Sequence, residues 1–562
     1  MELRRHSYLY LLTMCYGGKE RLWLNAGRID TRVVRRAWSR CPDAMPFSLR
    51  RPRPHKPSRS IFDVIKSIYA PERKNVAHRK LKPKICGLTY LSPCSRVVQI
   101  YSQTRSSSNF LRAHPITLLP NEILGFLFVL GAQDDDMLPM RVSHVCRTWR
   151  DLAQHTPALW RRISLDSRSY MWTQRILRAK ACTLDIELVP PLYRATRIQY
   201  HDAQAVLLCM HLIMPHISRW RSLEIRFATY APYLWNAALS ACCGHSPRLR
   251  AFALQELILV YPGNDDTKEF ALFDGVAPRL RKVTLCGIRL AWLPSLFQHL
   301  TSLDYTHHGF TQANEAVSEI LYMLNVSACL RELRLTFPWT ADGIASRVAP
   351  SSRSVHLPFL RTLELHIEGR TIPSMVLYLL AYVSLPAVHT FRLSSRPVFD
   401  FHRPQPTVFP HLRRVLRVLP PLVTLEYLYL EHCWLDAHFT CALVQSLPRL
   451  AHLTLRGTLI LDSLLIALGG VLWGRVRSTG VCLQLLELVQ CELASGQGLV
   501  AAVSRRARTA SCISEVHLRD CVGIDLVAVG SLRRSGVRLK IWKHGAEVDT
   551  AKLGTVSRRG VH

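Results

Sequence analysis

Cys242, Cys243 and His245 lie close together, as metal ligands do. A structural zinc site needs four such groups at chelating spacing. No further pair stands near these three, so they read as residues at a helix end. Asn264, Asp265 and Asp266 follow Pro262 and Gly263, an order that makes a turn without an oxygen-bound cation. His307 and His308 are expected to be exposed loop residues. Gly496 and Gly498 form a G-x-G with no glycine partner downstream, and the P-loop, H-E-x-x-H, G-x-S-x-G and EF-hand patterns are all missing. The expectation is a chain that works by binding, with no catalytic residue, no cofactor and no metal.

Surfaces for binding need elements to carry them, and a repeated element fills much of the chain. The apolar template L-x-x-L-x-L recurs eleven times, its last position at Ile225, Leu254, Leu285, Tyr305, Leu335, Leu365, Leu393, Leu430, Leu455, Leu488 and Leu518, a mean spacing of 29.3 residues. Proline just before the first apolar position, as at Pro247, Pro278, Pro358, Pro386 and Pro448, marks a strand start after a helix exit. Leu425, Leu428, Leu430, Cys433 and Leu435 extend the template to L-x-x-L-x-L-x-x-C-x-L. Leu483, Leu486, Leu488, Cys491 and Leu493 do so again, and a third copy, from Ile513 to Cys521, breaks at Gly523. This pattern resembles the leucine-rich repeat. Each unit is then a short strand and a returning helix that cannot bury its apolar face alone, so neighbours stack into a curved α/β solenoid. The array is irregular, with intervals from 20 to 37 residues, and its cysteines are expected to be small half-polar groups inside the coil. Arg221, Arg250, Arg281, Arg331 and Arg361 each follow the first apolar position of a unit, a column able to track phosphates. The exposed strand position reads Glu224, Asp304, Arg334, Glu364, Arg392 and Glu487, and those mixed signs argue against a phosphate groove.

From Ile116 to Leu165 the pattern is helical instead. Pro120 suits a first helical position, and Leu124, Leu127 and Phe128 recur at helical spacing up to about Gly131. Leu138, Val142, Val145, Cys146, Trp149 and Leu152 fall on one face of a second stretch, bounded by Pro139 and Pro157. The ordered set Leu119-Pro120, Glu122-Ile123-Leu124, Met137-Leu138, Val145-Cys146-Arg147-Thr148-Trp149 and Leu159-Trp160 resembles the F-box. Three consecutive acids, Asp134 to Asp136, and Pro139 depart from the usual pattern of that family. The resemblance implies a small all-α module that docks on a Skp-family adaptor and, through it, on a cullin. Its implied docking set is Leu119, Pro120, Glu122, Ile123, Leu124, Phe128, Leu138, Val142, Val145, Cys146, Trp149, Leu152 and Trp160. Some of these must form the module's own core, Trp149 and Val145 first among them. Together with the repeats, the resemblance implies the substrate-recognition subunit of an SCF-type cullin-RING ubiquitin ligase, its repeats holding an unidentified target protein.

The expected layout is a basic, low-order leader at 1–112, the module at 113–165, a connecting segment at 166–205, the solenoid at 206–545 and a tail at 546–562. Of the net charge of +33, residues 1 to 110 carry +17, from 23 Lys or Arg against six acids. Apolar residues make up 48% of the 562, an ordinary globular balance. Seventeen cysteines without a Cys-x-x-Cys pair point to a reducing compartment, cytoplasm or nucleus. No run of 18 apolar residues exists to span a membrane, and the stretch from Tyr8 to Tyr16 is only loosely like a signal peptide. Two alternatives stand beside the ligase reading. One is a repeat scaffold whose module packs its apolar strip on the first repeat, and the other is a basic nucleic-acid-binding protein.

Overall fold

The computed structural model describes residues 115–165, 169–189, 203–227, 233–311, 313–338, 354–368, 372–396, 422–431, 443–457, 462–466, 483–491, 494–504 and 513–548, without positions 445 and 463. The expected leader at 1–112 lies outside these residues, as do Cys433 and Leu435. Three helices come first: α1 (Asn121–Asp134), α2 (Leu138–Ser143) and α3 (Arg147–His155). The first runs past Gly131, and its Asp135 C-cap donates its amide to Gly131 O at 3.1 Å. The second stretch is two helices, not one. Cys146 is extended and its Sγ accepts from Trp149 N–H at 3.4 Å, an N-cap role that starts a new helix at Arg147 after α2 has ended at Ser143.

Strands and helices then alternate. The strands are β1 (Arg162–Ser164), β2 (Leu184–Leu188), β3 (Trp220–Arg226), β4 (Glu256–Val260), β5 (Glu269–Phe270), β6 (Lys282–Cys286), β7 (Arg289–Leu290), β8 (Ser302–Thr306), β9 (Glu332–Phe337) and β10 (Val355–His356). They continue as β11 (Thr362–Glu368), β12 (Val383–Ser384), β13 (Thr390–Arg396), β14 (Tyr427–Glu431), β15 (His452–Arg456), β16 (Leu485–Val489), β17 (Glu515–Arg519), β18 (Arg538–Lys543) and β19 (Ala546–Val548). Fifteen of them form one sheet in chain order, and every pairing but the last, β18 with β19, is parallel. β5 with β7 and β10 with β12 make two short side pairs. Between strands run α4 (Ser169–Arg178), α5 (Ala203–Ile213), α6 (Leu234–Leu239), α7 (Pro294–Phe297), α8 (Ala313–Val326), α9 (Ser374–Ala381), α10 (Gly496–Ser504) and α11 (Leu526–Arg534). Helices of neighbouring units pack on one another, α5 on α6, α8 on α9 and α10 on α11. This is a helical module followed by an α/β solenoid.

Burial alternates along strands such as β4, β8 and β11, because successive side chains point to opposite faces and the helices cover only one; in β2, β15 and β16 three consecutive residues are buried. The inward column runs Leu188, Ile225, Leu259, Leu285, Tyr305, Leu335, Leu365, Leu393, Leu430, Leu455, Leu488, Leu518 and Ile541. Leu259 replaces the expected Leu254, which is the first apolar residue of that unit, not its last. Leu188 and Ile541 are additions: β2 alternates Leu184, Ile186 and Leu188 without the leading L-x-x, so the template passes over it. The sheet therefore starts with β1 at the end of the expected module at 113–165, runs with β2 through the expected connecting segment at 166–205 and reaches with β19 into the expected tail at 546–562. Cys491 and Cys521 are buried, their thiols aimed at carbonyls of the coil, Cys491 at Val489 O (3.4 Å) and Cys521 at Leu488 O (3.5 Å). Phe227, Trp235 and Tyr261 stack edge to face, and Gly287 at φ +72° closes over them; a Cβ there would lie 2.0 Å from Tyr261 O.

Candidate functional site

Helix α1 is apolar on nearly all sides, and such a helix must be covered all round. One side is covered by the module itself: Leu124, Phe128, Gly131 and Ala132 are buried, with the Phe128 ring 4.9 Å from Trp149. Leu138, Val142 and Trp149 complete that core, and Leu152 is half-buried. The other side faces solvent. Ile123, Phe126, Leu127 and Leu130, at positions i, i+3, i+4 and i+7, are 48, 65, 42 and 41% exposed. Leu118 and Leu119 are also exposed ahead of the helix, as are Pro120 and Glu122. Fully burying such side chains is worth about 1.5–3 kcal/mol each, so covering four that are half covered already gains about 4 kcal/mol.

The implied docking set thus splits. Leu119, Pro120, Glu122, Ile123, Val145 and Cys146 are exposed; Leu124, Phe128, Leu138, Val142, Trp149 and Trp160 are buried. Trp149 is internal as expected, but Val145 is 56% exposed, because the break at Cys146 carries it off the buried face. Leu118, Phe126, Leu127 and Leu130 lie outside that set. Their signal is the all-round apolarity of LLPNEILGFLFVL, residues 118–130, which leaves a second face once the helical core face is assigned. The run Asp134 to Asp136 holds the corner between helices: Asp135 accepts from Met137 N–H (2.9 Å) and from Arg141 (2.7 Å).

The module is joined to the sheet by its other flank. Trp160 is fully buried, its Nε1 donating to Ala153 O (2.8 Å) and its ring lying under Arg178 (4.5 Å). Arg162 on β1 donates to Gln133 O of α1 and pairs with Glu187 at 2.6 Å. Burial pushes the Glu187 carboxyl up, and the Arg162 cation opposes that push. Arg175 of α4, itself buried, donates to Asp136 O and to Arg162 O. None of these contacts covers Ile123, Phe126, Leu127 or Leu130.

On the open face of the sheet, Asp304, Arg334, Glu364 and Arg392 stand in register on β8, β9, β11 and β13. They pair in series at 3.9, 3.8 and 3.3 Å. Arg392 then lies over Tyr427 (5.4 Å) and Tyr429 (5.7 Å), and further on Arg519 lies over Trp542 (4.7 Å). Cations neutralised in the row by their neighbours leave little free charge for a phosphate chain.

His307 and His308 are not exposed loop residues: His307 is 3% exposed and the His308 side chain 1%. Gly309 N–H donates to His307 Nδ1 (3.1 Å) and Phe310 N–H to His308 Nδ1 (3.0 Å), so the imidazoles fold the turn back on itself. His308 Nε2 then meets Glu319 Oε1 of α8 at 3.1 Å, and Thr311 donates to Glu319 Oε2 at 2.8 Å. Cys242 and Cys243 end a short helical turn, as expected, and burial raises both thiols. Among the described residues no group of three His, Cys, Asp or Glu is placed to hold a metal ion, and no helix is long and apolar enough to cross a membrane.

A family model described as F-box-like matches residues 116–166, which takes in α1 to α3 and β1. No curated protein matches the chain. Among solved structures, "Crystal structure of TLR13-ssRNA13 complex" is similar at 17% identity and a TM-score of 0.32, over 52% of this chain. The chain spans only 40% of that one.

Proposed function

We propose that the chain is the substrate-recognition subunit of an SCF-type cullin-RING ubiquitin ligase, a leucine-rich-repeat protein that carries no catalytic residue of its own. F-box domains are as a rule non-catalytic adaptors that bind Skp-family proteins, and the F-box-like match at residues 116–166 supports that role. The observation that carries the reading is the bare face of α1: Ile123, Phe126, Leu127 and Leu130 stay open while the module packs on the sheet through Trp160, Arg162 and Arg175. In the scaffold alternative that face is the one buried on the first repeat. The solenoid offers the target protein its open face, where Tyr427, Tyr429 and Trp542 stand beside arginines, the residue types that dominate protein interfaces. Rate enhancement comes from proximity, the target being held near a ubiquitin-loaded partner. Cytoplasm or nucleus is the compartment this role requires.

The test is capture of the host's Skp-family adaptor and cullin by the full chain, beside the double variant Phe126→Asp/Leu130→Asp. Loss of capture by a variant that keeps the wild-type melting temperature is the expected result. Equal capture by both proteins would sink the docking assignment, and no capture by either would leave a scaffold.

A further inference from the structure

The residues just upstream of the strands form a row of their own. Gln255 N–H donates to Arg221 O (2.7 Å), Arg281 to Gln255 O (2.9 Å), Thr301 to Arg281 O (2.8 Å), Arg331 to Thr301 O (2.8 Å) and Arg361 to Arg331 O (2.8 Å). The arginine column expected from the sequence is therefore real except at Arg250, which leaves the row and pairs with Asp274 at 3.0 Å. Beyond Arg361 the row continues as His389, Glu426 and Ala451, so the arginines stop there.

These charges are not neutralised as those of the open face are. Arg221 is the exception, held by Asp185 through two bonds of 2.7 Å. Arg281 donates only to the main-chain carbonyls of Pro278 (3.1 Å) and Leu280 (2.9 Å). Arg279, Lys282, Arg331 and Arg361 are exposed and have no acidic partner among the described residues. Arg331 and Arg361 stand on neighbouring strands ~4.8 Å apart, with Arg281 two strands before them beyond Thr301, so this part of the row holds like charge that repels unless an anion sits on it. Near β4 and β6 the edge opens into a cavity of about 470 Å³, lined by Arg279, Arg281 and Lys282 with Ser222, Gln255 and Glu256.

We propose that this upstream edge, from β3 to β11, is a binding site for an acidic peptide segment. Its carboxylates sit on Arg279, Arg281, Lys282, Arg331 and Arg361, and its backbone amides meet Ser222, Gln255 and Glu256. The five strand spacings from β3 to β11 cover ~24 Å, about seven residues of extended chain. A peptide fits better than a nucleic acid. Exposed Glu332 and half-buried Glu256 stand among the cations, where they can accept from peptide N–H groups, donors that a phosphodiester backbone lacks. No aromatic ring lines the cavity to stack a base. None of these residues belongs to the helical module, so the site stands whether or not the adaptor docks.

The experiment measures fluorescence anisotropy of labelled decaglutamate, and of a single-stranded oligonucleotide of equal charge, with the purified full chain at physiological salt. The quadruple variant Arg279→Ala/Lys282→Ala/Arg331→Ala/Arg361→Ala should bind decaglutamate about tenfold more weakly, which is about 1.4 kcal/mol, the scale of a few exposed ion pairs. A control that removes as many cations upstream, Arg73→Ala/Lys74→Ala/Arg79→Ala/Lys80→Ala, should change it far less. If the quadruple variant melts early, the pair Arg331→Ala/Arg361→Ala replaces it, with a smaller loss expected. Wild-type affinity in the edge variants, or a loss confined to the upstream control, overturns the site. Tighter binding of the oligonucleotide than of decaglutamate, abolished by the edge variant, overturns the peptide and makes the ligand a nucleic acid.

Discussion

His307, expected in an exposed loop, has the chemistry of a buried group. Burial, with the neighbouring His308 second, holds its imidazole down to about 4, while Glu319 pulls the other way. A histidine kept neutral in the folded chain stabilises least in acid. Between pH 6.5 and 4 the unfolded chain binds a proton that the native one refuses, so stability falls as pH falls through that window. The loss reaches about 2 kcal/mol by pH 5, to be read from the urea midpoint at pH 7 and pH 5. His307→Asn should flatten that difference; an unchanged difference would show that His307 is not its source. Two adjacent histidines before Gly309 gave no sign of burial, because what buries them is a turn whose amides bond their own rings, and spacing does not record such local bonds.

At the scale of the element, α1 shows what periodicity can and cannot reveal. Its repeat of apolar residues identified a helix, but the apolar side chains on its two faces have different partners, and only the fold separates them. Phe128→Ala should cost about 3 kcal/mol by opening a cavity against Trp149. Phe126→Ala, two positions away and 65% exposed, should leave the thermal midpoint nearly unchanged yet weaken adaptor capture. Equal destabilisation by the two would remove the distinction between core and docking face. The second stretch departs from its expected single face for a related reason: that face requires one helix from Leu138 to Leu152, and a cysteine cap at Cys146 starts a new one. In the solenoid the strand register was legible because leucines mark it. Leu259 and not Leu254 takes the last position of its unit because the spacing of apolar residues alone does not mark which of them begins the repeat.

For the whole molecule, the decisive feature is that the module and the coil share residues. Trp160 and Arg162 lie in the module and touch the coil, Arg175 of α4 reaches back to Asp136 O, and β1 is at once the end of the module and the first strand of the sheet. Unfolding of α1 to α3 should therefore be coupled to that of the first units. Arg175→Ala, which leaves two carbonyls without their donor, should lower hydrogen-exchange protection in α1 to α3 while β9 to β13 keep theirs. Unchanged protection in α1 would mean that the junction carries no coupling. Nothing in the sequence marked this seam, since the arginines that make it bond to main-chain carbonyls and not to residues of a recognisable pattern.

That seam also removes a hinge. In the ligase reading, a guest held on the open face cannot swing independently of the docking helix, because the main chain passes from Trp160 into β1 and on through an unbroken parallel ladder to β18. Each point on the coil then has its own fixed bearing from α1. On the proposed ligase role, which lysines of a guest come within reach of the ubiquitin donor would depend on how far along the row of strands it is gripped, as well as on how tightly.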